Sequence, residues 1–113
     1  MIFPMKTEQE VLISFFQQVA RRDADLIGSL SQQLNFRIDT MRWEFSLPNL
    51  HEFLRYYEAV FEHTDYPTFR RLLYQSPINQ QIEYCNAKII ITDNRAHVDE
   101  STYALVWNDT HFE

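Results

Sequence analysis

Glycine and cysteine are almost missing: Gly28 and Cys85 are the single examples in 113 residues. One glycine cannot build a Gly-rich phosphate-cradling loop, which excludes P-loop enzymes and the dinucleotide fingerprint. One thiol cannot close an intramolecular disulfide, and that usage fits a reducing compartment, with the cytosol as the expected location. No uncharged apolar run approaches the ~20 residues that span a bilayer, and the opening MIFPMKTEQE lacks the long apolar core of a secretory signal, so neither a membrane span nor an export signal is expected. Positive charge is also in deficit. Ten Lys and Arg stand against sixteen Asp and Glu, a formal charge of -6. That balance repels a phosphate backbone and gives no attraction to anionic lipid, so nucleic acid and membrane are not expected partners. Eight of the ten basic residues are Arg. The planar fork of Arg suits bidentate pairing with carboxylates, which points toward protein contacts.

What is present is apolar and aromatic residue, 45% and 15% of the chain. That is enough for one α+β domain over residues 1–113, which would bury about two thirds of the surface of its unfolded form. Thr7 followed by Glu10 reads as a capping box, and Val11, Leu12, Phe15, Phe16, Val19 and Ala20 recur at helical spacing behind it. Asp23 caps a second, shorter helix through Leu26, Ile27 and Leu30.

From Leu34 the period changes to two. Leu34, Phe36 and Ile38 share one face, and Met41, Trp43, Phe45 and Leu47 share another, out of phase. Either Asp39 and Thr40 form a tight turn between paired strands, or one strand carries a bulge there. The preferred turn pairs Phe36 with Trp43 but sets Arg37 opposite Arg42, an unfavourable cross-strand pair. Pro48 then ends the strand, and Asn49 with Glu52 forms a second capping box. Leu50, Phe53, Leu54, Tyr57 and Phe61 make an apolar helix stripe, with His51, Glu52, Arg55, Glu58 and Glu62 on the wet side. A short helix opens at Pro67, burying Phe69, Leu72 and Leu73, and Pro77 bars its continuation. QIEYCNAKIIIT and RAHVDESTYALVW read as two long strands joined at Asp93 and Asn94, with Tyr103, Leu105 and Trp107 on one face and Val98, Ala104 and Val106 on the other. NDTHFE reads as a frayed tail.

The segment FSLPNLHEFLRYYEAVF resembles the strand-to-helix passage of small members of the nuclear transport factor 2-like, or SnoaL-like, superfamily, and KIIITDNRAHVD resembles the hairpin that follows there. Together these patterns cover about half the chain. The resemblance implies a cone, a curved antiparallel sheet wrapped around helices. The hairpin turn holds Asp93 and Asn94 where the superfamily commonly has glycine, and further strands are not visible. The implied cone is therefore short, or completed by a neighbouring subunit. The superfamily includes isomerases, dehydratases, hydrolases and pure protein-binding modules, so an architecture is implied and no activity.

The candidate catalytic groups are few: Asp39 or Asp99 as a base, with Tyr57, Tyr103 or Tyr56 stabilising an enolate. Asp39 stands at a turn, where its carboxylate bonds local backbone, and Asp99 stands in the polar run HVDES. His51, His63, His97 and His111 show no zinc-ligand spacing, so no metal and no cofactor is expected. His51 belongs to the wet helix face and Cys85 to a strand, as a small core or edge residue. Trp43, Trp107 and Tyr57 read as core. The residues expected to meet a partner are Arg70, Arg71, Tyr56, Tyr103 and Trp107. The expected function is a non-catalytic protein-binding module of the immunity, adaptor or regulatory kind, homodimeric through its sheet. The alternative is a small-molecule binder or an isomerase or dehydratase using the cone interior.

Overall fold

The structure, a computed structural model, describes residues 7–97 and 99–107. The roles considered above for Val98, His111 and the tail fall outside these residues. The chain is α+β: helices α1 (Glu8–Ala20) and α2 (Ala24–Ser31), strands β1 (Arg37–Ile38) and β2 (Arg42–Ser46), helices α3 (Leu47–Tyr57), α4 (Tyr66–Gln75) and α5 (Ile78–Ile82), then strands β3 (Ala87–Asp93) and β4 (Thr102–Trp107). Short 3-10 turns at Ala59–Phe61 and Glu83–Cys85 follow α3 and α5. The four strands form one open antiparallel sheet in the order β1-β2-β4-β3.

α1 begins where the capping box places it. The Thr7 hydroxyl accepts from the Glu10 amide at 3.1 Å, and the Glu10 carboxylate accepts from the Thr7 amide at 3.0 Å. Its exit uses an uncommon residue: Arg22 adopts a left-handed φ of 59° while the Asp23 amide reaches back to the Gln18 carbonyl at 3.1 Å. That closure normally takes glycine. Here the Arg22 guanidinium bonds the Thr40 carbonyl at 3.1 Å and lies over the Trp107 ring at 4.8 Å, contacts that offset the backbone cost. The carboxylate of Asp23, now at the head of α2, accepts from the Leu26 amide at 3.0 Å.

The hairpin forms in a register two residues off the expected one. Ile38, not Phe36, is the Cα partner of Trp43, and Arg37 faces Glu44 instead of Arg42. The Asp39 carboxylate accepts from the Met41 and Arg42 amides at 2.7 and 3.0 Å, which moves the two turn residues to Thr40 and Met41. The shift replaces an arginine pair by an arginine-glutamate pair. It also leaves Met41 exposed at the turn and Leu34 fully exposed before β1, both expected in the core. Phe36 still meets Trp43, edge to face at 5.3 Å.

β2 runs into α3 without a loop. Ser46 is the cap, its hydroxyl accepting from the Asn49 amide at 3.3 Å, and Pro48 sits in the first turn, so the helix opens ahead of the expected Asn49. Leu50, Phe53 and Leu54 are buried as the stripe requires, but Tyr57 is 39% exposed, at the rim, with its ring stacked on Phe53 at 5.2 Å. α3 stops at Glu58, which is extended, and Phe61 reaches the core from the 3-10 turn. α4 starts one residue earlier than expected, capped by Asp65, whose carboxylate accepts from the Thr68 amide at 2.9 Å.

Residues expected at the head of a long strand are helical instead. α5 and its 3-10 extension carry the chain to Asn86, whose left-handed φ of 56° turns it into β3, so Cys85 lies half-buried in a helical turn. The tight turn at Asp93 and Asn94 is replaced by a loop over residues 94–101 that ends on buried Ser101, with a register shift between Ile91 and Asp93. β3 is an edge strand. The Asn79 side chain caps that edge, donating to the Ile89 carbonyl at 3.2 Å and accepting from the Ile89 amide at 2.7 Å.

One core joins the two layers. Phe15 and Phe16 of α1 meet Trp43 at 6.0 and 6.2 Å, and Trp43 meets Phe45 at 4.4 Å. Leu105, Trp107 and Tyr103 of β4 complete the inner sheet face. Trp43 is fully buried, and its indole N–H is the buried side-chain donor that finds no partner among the described residues. Trp43→Ala, which opens a cavity, is expected to cost about 3–5 kcal/mol. Trp43→Phe is expected to cost clearly less, because it removes the unsatisfied donor with part of the volume. Gly28 is exposed in mid-α2 and nothing lies within 4 Å of where its Cβ would stand. Gly28→Ala is therefore expected to stabilise the fold by about 0.5–1 kcal/mol. Urea denaturation of the three variants reads both effects.

Candidate functional site

α4 carries Tyr66, Arg70 and Tyr74 at successive four-residue steps, so all three lie along one side of the helix. That side meets the 94–101 loop and β4. The Tyr66 hydroxyl donates to Asp99 at 2.6 Å, and Arg70 Nη1 donates to both oxygens of the same carboxylate at 3.0 and 3.2 Å. The guanidinium also lies over the Tyr66 ring at 5.6 Å. One turn further, the Tyr74 and Tyr103 hydroxyls are 2.9 Å apart. Asp99 and Tyr103, considered separately as catalytic groups, thus belong to one polar clasp that ties α4 to the end of the sheet.

Local donors favour the charged form of Asp99. The Tyr66 hydrogen bond, followed by that of Arg70, holds the Asp99 carboxyl below the ordinary 3.8. A general base works best with a pKa near the operating pH, and Asp99 is shifted the wrong way. Burial, and then the bond to Asp99, pushes the Tyr66 phenol above its ordinary range. Burial, and then the bond to Tyr74, does the same to Tyr103. Both phenols therefore stay protonated; Tyr66 donates to Asp99, and either hydroxyl of the Tyr74–Tyr103 pair can be the donor. Asp39 is likewise lowered, by the Met41 and then the Arg42 backbone amides it caps. Its carboxylate is a turn device, the role its place in the sequence predicts. Burial, and then nearby Glu58, raises the Tyr57 phenol.

The structure places the expected partner residues in different settings. Tyr56 is 83% exposed, in a surface depression of about 420 Å³ that Gln32, Gln33 and Asn49 also line. Arg71 is exposed, whereas the guanidinium of Arg70 is committed to Asp99. Tyr103 and Trp107 are buried, and the Trp107 indole donates to the Ala20 carbonyl at 3.0 Å, tying β4 to the end of α1. His51 is not on a wet face. It is buried, with Nε2 at 2.7 Å from the Thr64 carbonyl and its ring against Phe69 and Tyr66. The break after Tyr57 folds residues 58–65 back over it, which helical periodicity does not anticipate. His63 and His97 are exposed.

A groove of about 320 Å³ runs between α4, α5 and β3, lined by Leu73, Tyr74, Ile78, Ile89, Ile91 and Tyr103 among others. No Asp or His lines it. Among the described residues, no three His, Cys, Asp or Glu side chains converge in a way that would hold a metal ion. No described helix is long and apolar enough to cross a membrane.

The larger feature is the second face of the sheet. The strand registers lay out its rows: Arg37, Glu44, Ala104 and Ile90 across the four strands, then Arg42, Val106 and Lys88 across three. None of these seven residues belongs to the core cluster, and Arg37, Arg42, Lys88 and Ile90 are exposed. Ala104 is fully buried yet outside that cluster, and Glu44 and Val106 are half-buried. Alternation in β2 and β4 already puts these side chains opposite Trp43 and Leu105 in the sequence. Comparison with protein-family models, with curated proteins and with solved structures gave no match.

The clasp has a sign that can be tested. A folded pKa below 3.8 means that Asp99 stabilises the fold at pH values above 3.8, and that this contribution disappears as the pH falls through the depressed value. Asp99→Asn is expected to flatten that part of the acid-denaturation curve. Tyr66→Phe, which removes the strongest lowering contact, is expected to return the Asp99 carboxyl toward 3.8 in a carbon-13 NMR titration.

Proposed function

We propose that the chain is a non-catalytic protein-binding module, of the adaptor, regulatory or immunity kind, that receives its partner on the open face of the sheet. The observation that carries this reading is the uncovered face itself. A sheet is stable when both faces meet a partner layer or when one is left wholly polar. This face is not wholly polar, since exposed Ile90 and half-buried Val106 stand on it beside Arg37, Arg42 and Lys88. The catalytic alternative lacks a poised base, because both candidate carboxylates are held in their charged form by local donors. The superfamily resemblance, with its protein-binding members, supports the same reading.

In vivo photo-crosslinking tests it. A benzophenone amino acid in place of Ile90 is expected to capture one protein of discrete mass in the cell that makes the chain. The same probe in place of Gln32, exposed at the end of α2, is expected to capture none. The reading is overturned if Ile90 captures nothing while native mass spectrometry of the purified chain finds a small molecule retained by the groove beside Tyr74 and Tyr103.

A further inference from the structure

We infer that the occupant of the open sheet face is an acidic protein surface, received by Arg37, Arg42 and Lys88. This rests on the binding-module reading and adds the chemistry of the partner. The chain as a whole is acidic, at -6. The two rows named above reverse that sign locally, for they hold three cations against the carboxylate of Glu44, a net of +2, and the next row adds Asp93 opposite Thr102. Glu44 is already engaged, since it accepts from Arg42 at 2.9 Å and stands directly across from Arg37. At the margin, Asp93 is neutralised by Arg95 at 2.7 Å, and the Asp39 carboxylate is turned into its own loop. Among the described residues, Arg37 and Lys88 have no carboxylate within ion-pair distance, whereas Arg42, Arg55, Arg70 and Arg95 each have one.

Placement matters as much as count. Strand spacing sets Arg42 and Lys88 about 10 Å apart across β4, and Arg37 about 14 Å from Ile90 across the full sheet. The cations therefore frame an apolar centre of Ile90 and the half-buried Val106, the arrangement of a dry middle with a charged rim that protein interfaces use. Complementary rim charge raises the association rate and selects the partner, which then carries carboxylates around an apolar contact. A second copy of this chain would bring +2 against +2 at the same patch, so like charge opposes isologous packing on this face. A duplex or an anionic bilayer would meet the -6 of the whole molecule beyond the patch.

The probe is a short peptide of alternating Glu and Val, with its Lys and Val counterpart as control, each titrated into the nitrogen-15-labelled chain. The acidic peptide is expected to shift amides of β2, β4 and β3, with binding that weakens as salt rises. The Lys peptide is expected to shift none. Arg37→Glu with Lys88→Glu is expected to weaken the acidic peptide by about tenfold. Glu44→Gln, which removes the carboxylate of those two rows, is expected to tighten it, and this single variant still decides the sign should the double variant fold poorly. The inference is overturned if the acidic peptide shifts nothing, if its shifts lie elsewhere on the molecule, if Glu44→Gln weakens binding, or if a DNA duplex or phosphatidylserine vesicles shift the same amides equally. Crosslinking from Ile90 that persists in the Arg37→Glu, Lys88→Glu chain would keep the docking face and remove only its charge assignment.

Discussion

Everything in this fold leans on Trp43. It stands near the start of β2, fully buried, with Phe15 and Phe16 of the first helix on one side and Phe36 and Phe45 around it. Aromatic rings give much apolar area for few rotatable bonds, and edge-to-face contacts fix their mutual orientation. α1, β2 and the segment before β1 therefore share one anchor, and Phe53 of α3 joins it through Phe15 and Phe36. That anchor leaves its own N–H unanswered, so geometry has been favoured over complete polar satisfaction at the centre of the core.

Local chemistry was legible in the residues where a side chain acts on its own backbone neighbours. Thr7 with Glu10, and Asp23, mark helix starts that the structure repeats without a shift. Asp39 was readable as a turn residue, but not which amides it would choose, and that choice set the register. Where a signal depended on distant packing the reading failed. Ile82, Tyr84 and Cys85 have the side chains of a strand, yet they close a helical turn, because Asn86 supplies the reversal that aims β3 at β4. His51 follows the same rule: its helix face is polar in sequence, and only the returning chain at Thr64 buries it.

The site divides along the same line. Asp99 and Tyr103 were nameable as chemistry-bearing residues, but their meaning came from α4, which brings Tyr66, Arg70 and Tyr74 to them. A carboxylate held by a phenol and a guanidinium fastens a loop; it does not wait for a proton. The cations of the open face were invisible as a group because they are scattered over β1, β2 and β3 in sequence and meet only through strand pairing. Of the residues chosen for a partner from sequence, Tyr103 and Trp107 are buried, whereas Tyr56 and Arg71 are exposed.

The strand order has an effect on how the protein is made. β4 lies between β2 and β3, although it follows both along the chain. Until Thr102–Trp107 has left the ribosome, neither neighbour has its mate, and the sheet exists only as the two-residue pairing of β1 with β2. The greasy sides of the helices must then stay loosely gathered, waiting for the last strand to slide into the gap. Assembly is thus all-or-nothing and late, governed by contacts far apart in sequence, and a nascent chain halted short of that strand is material for chaperones and proteases.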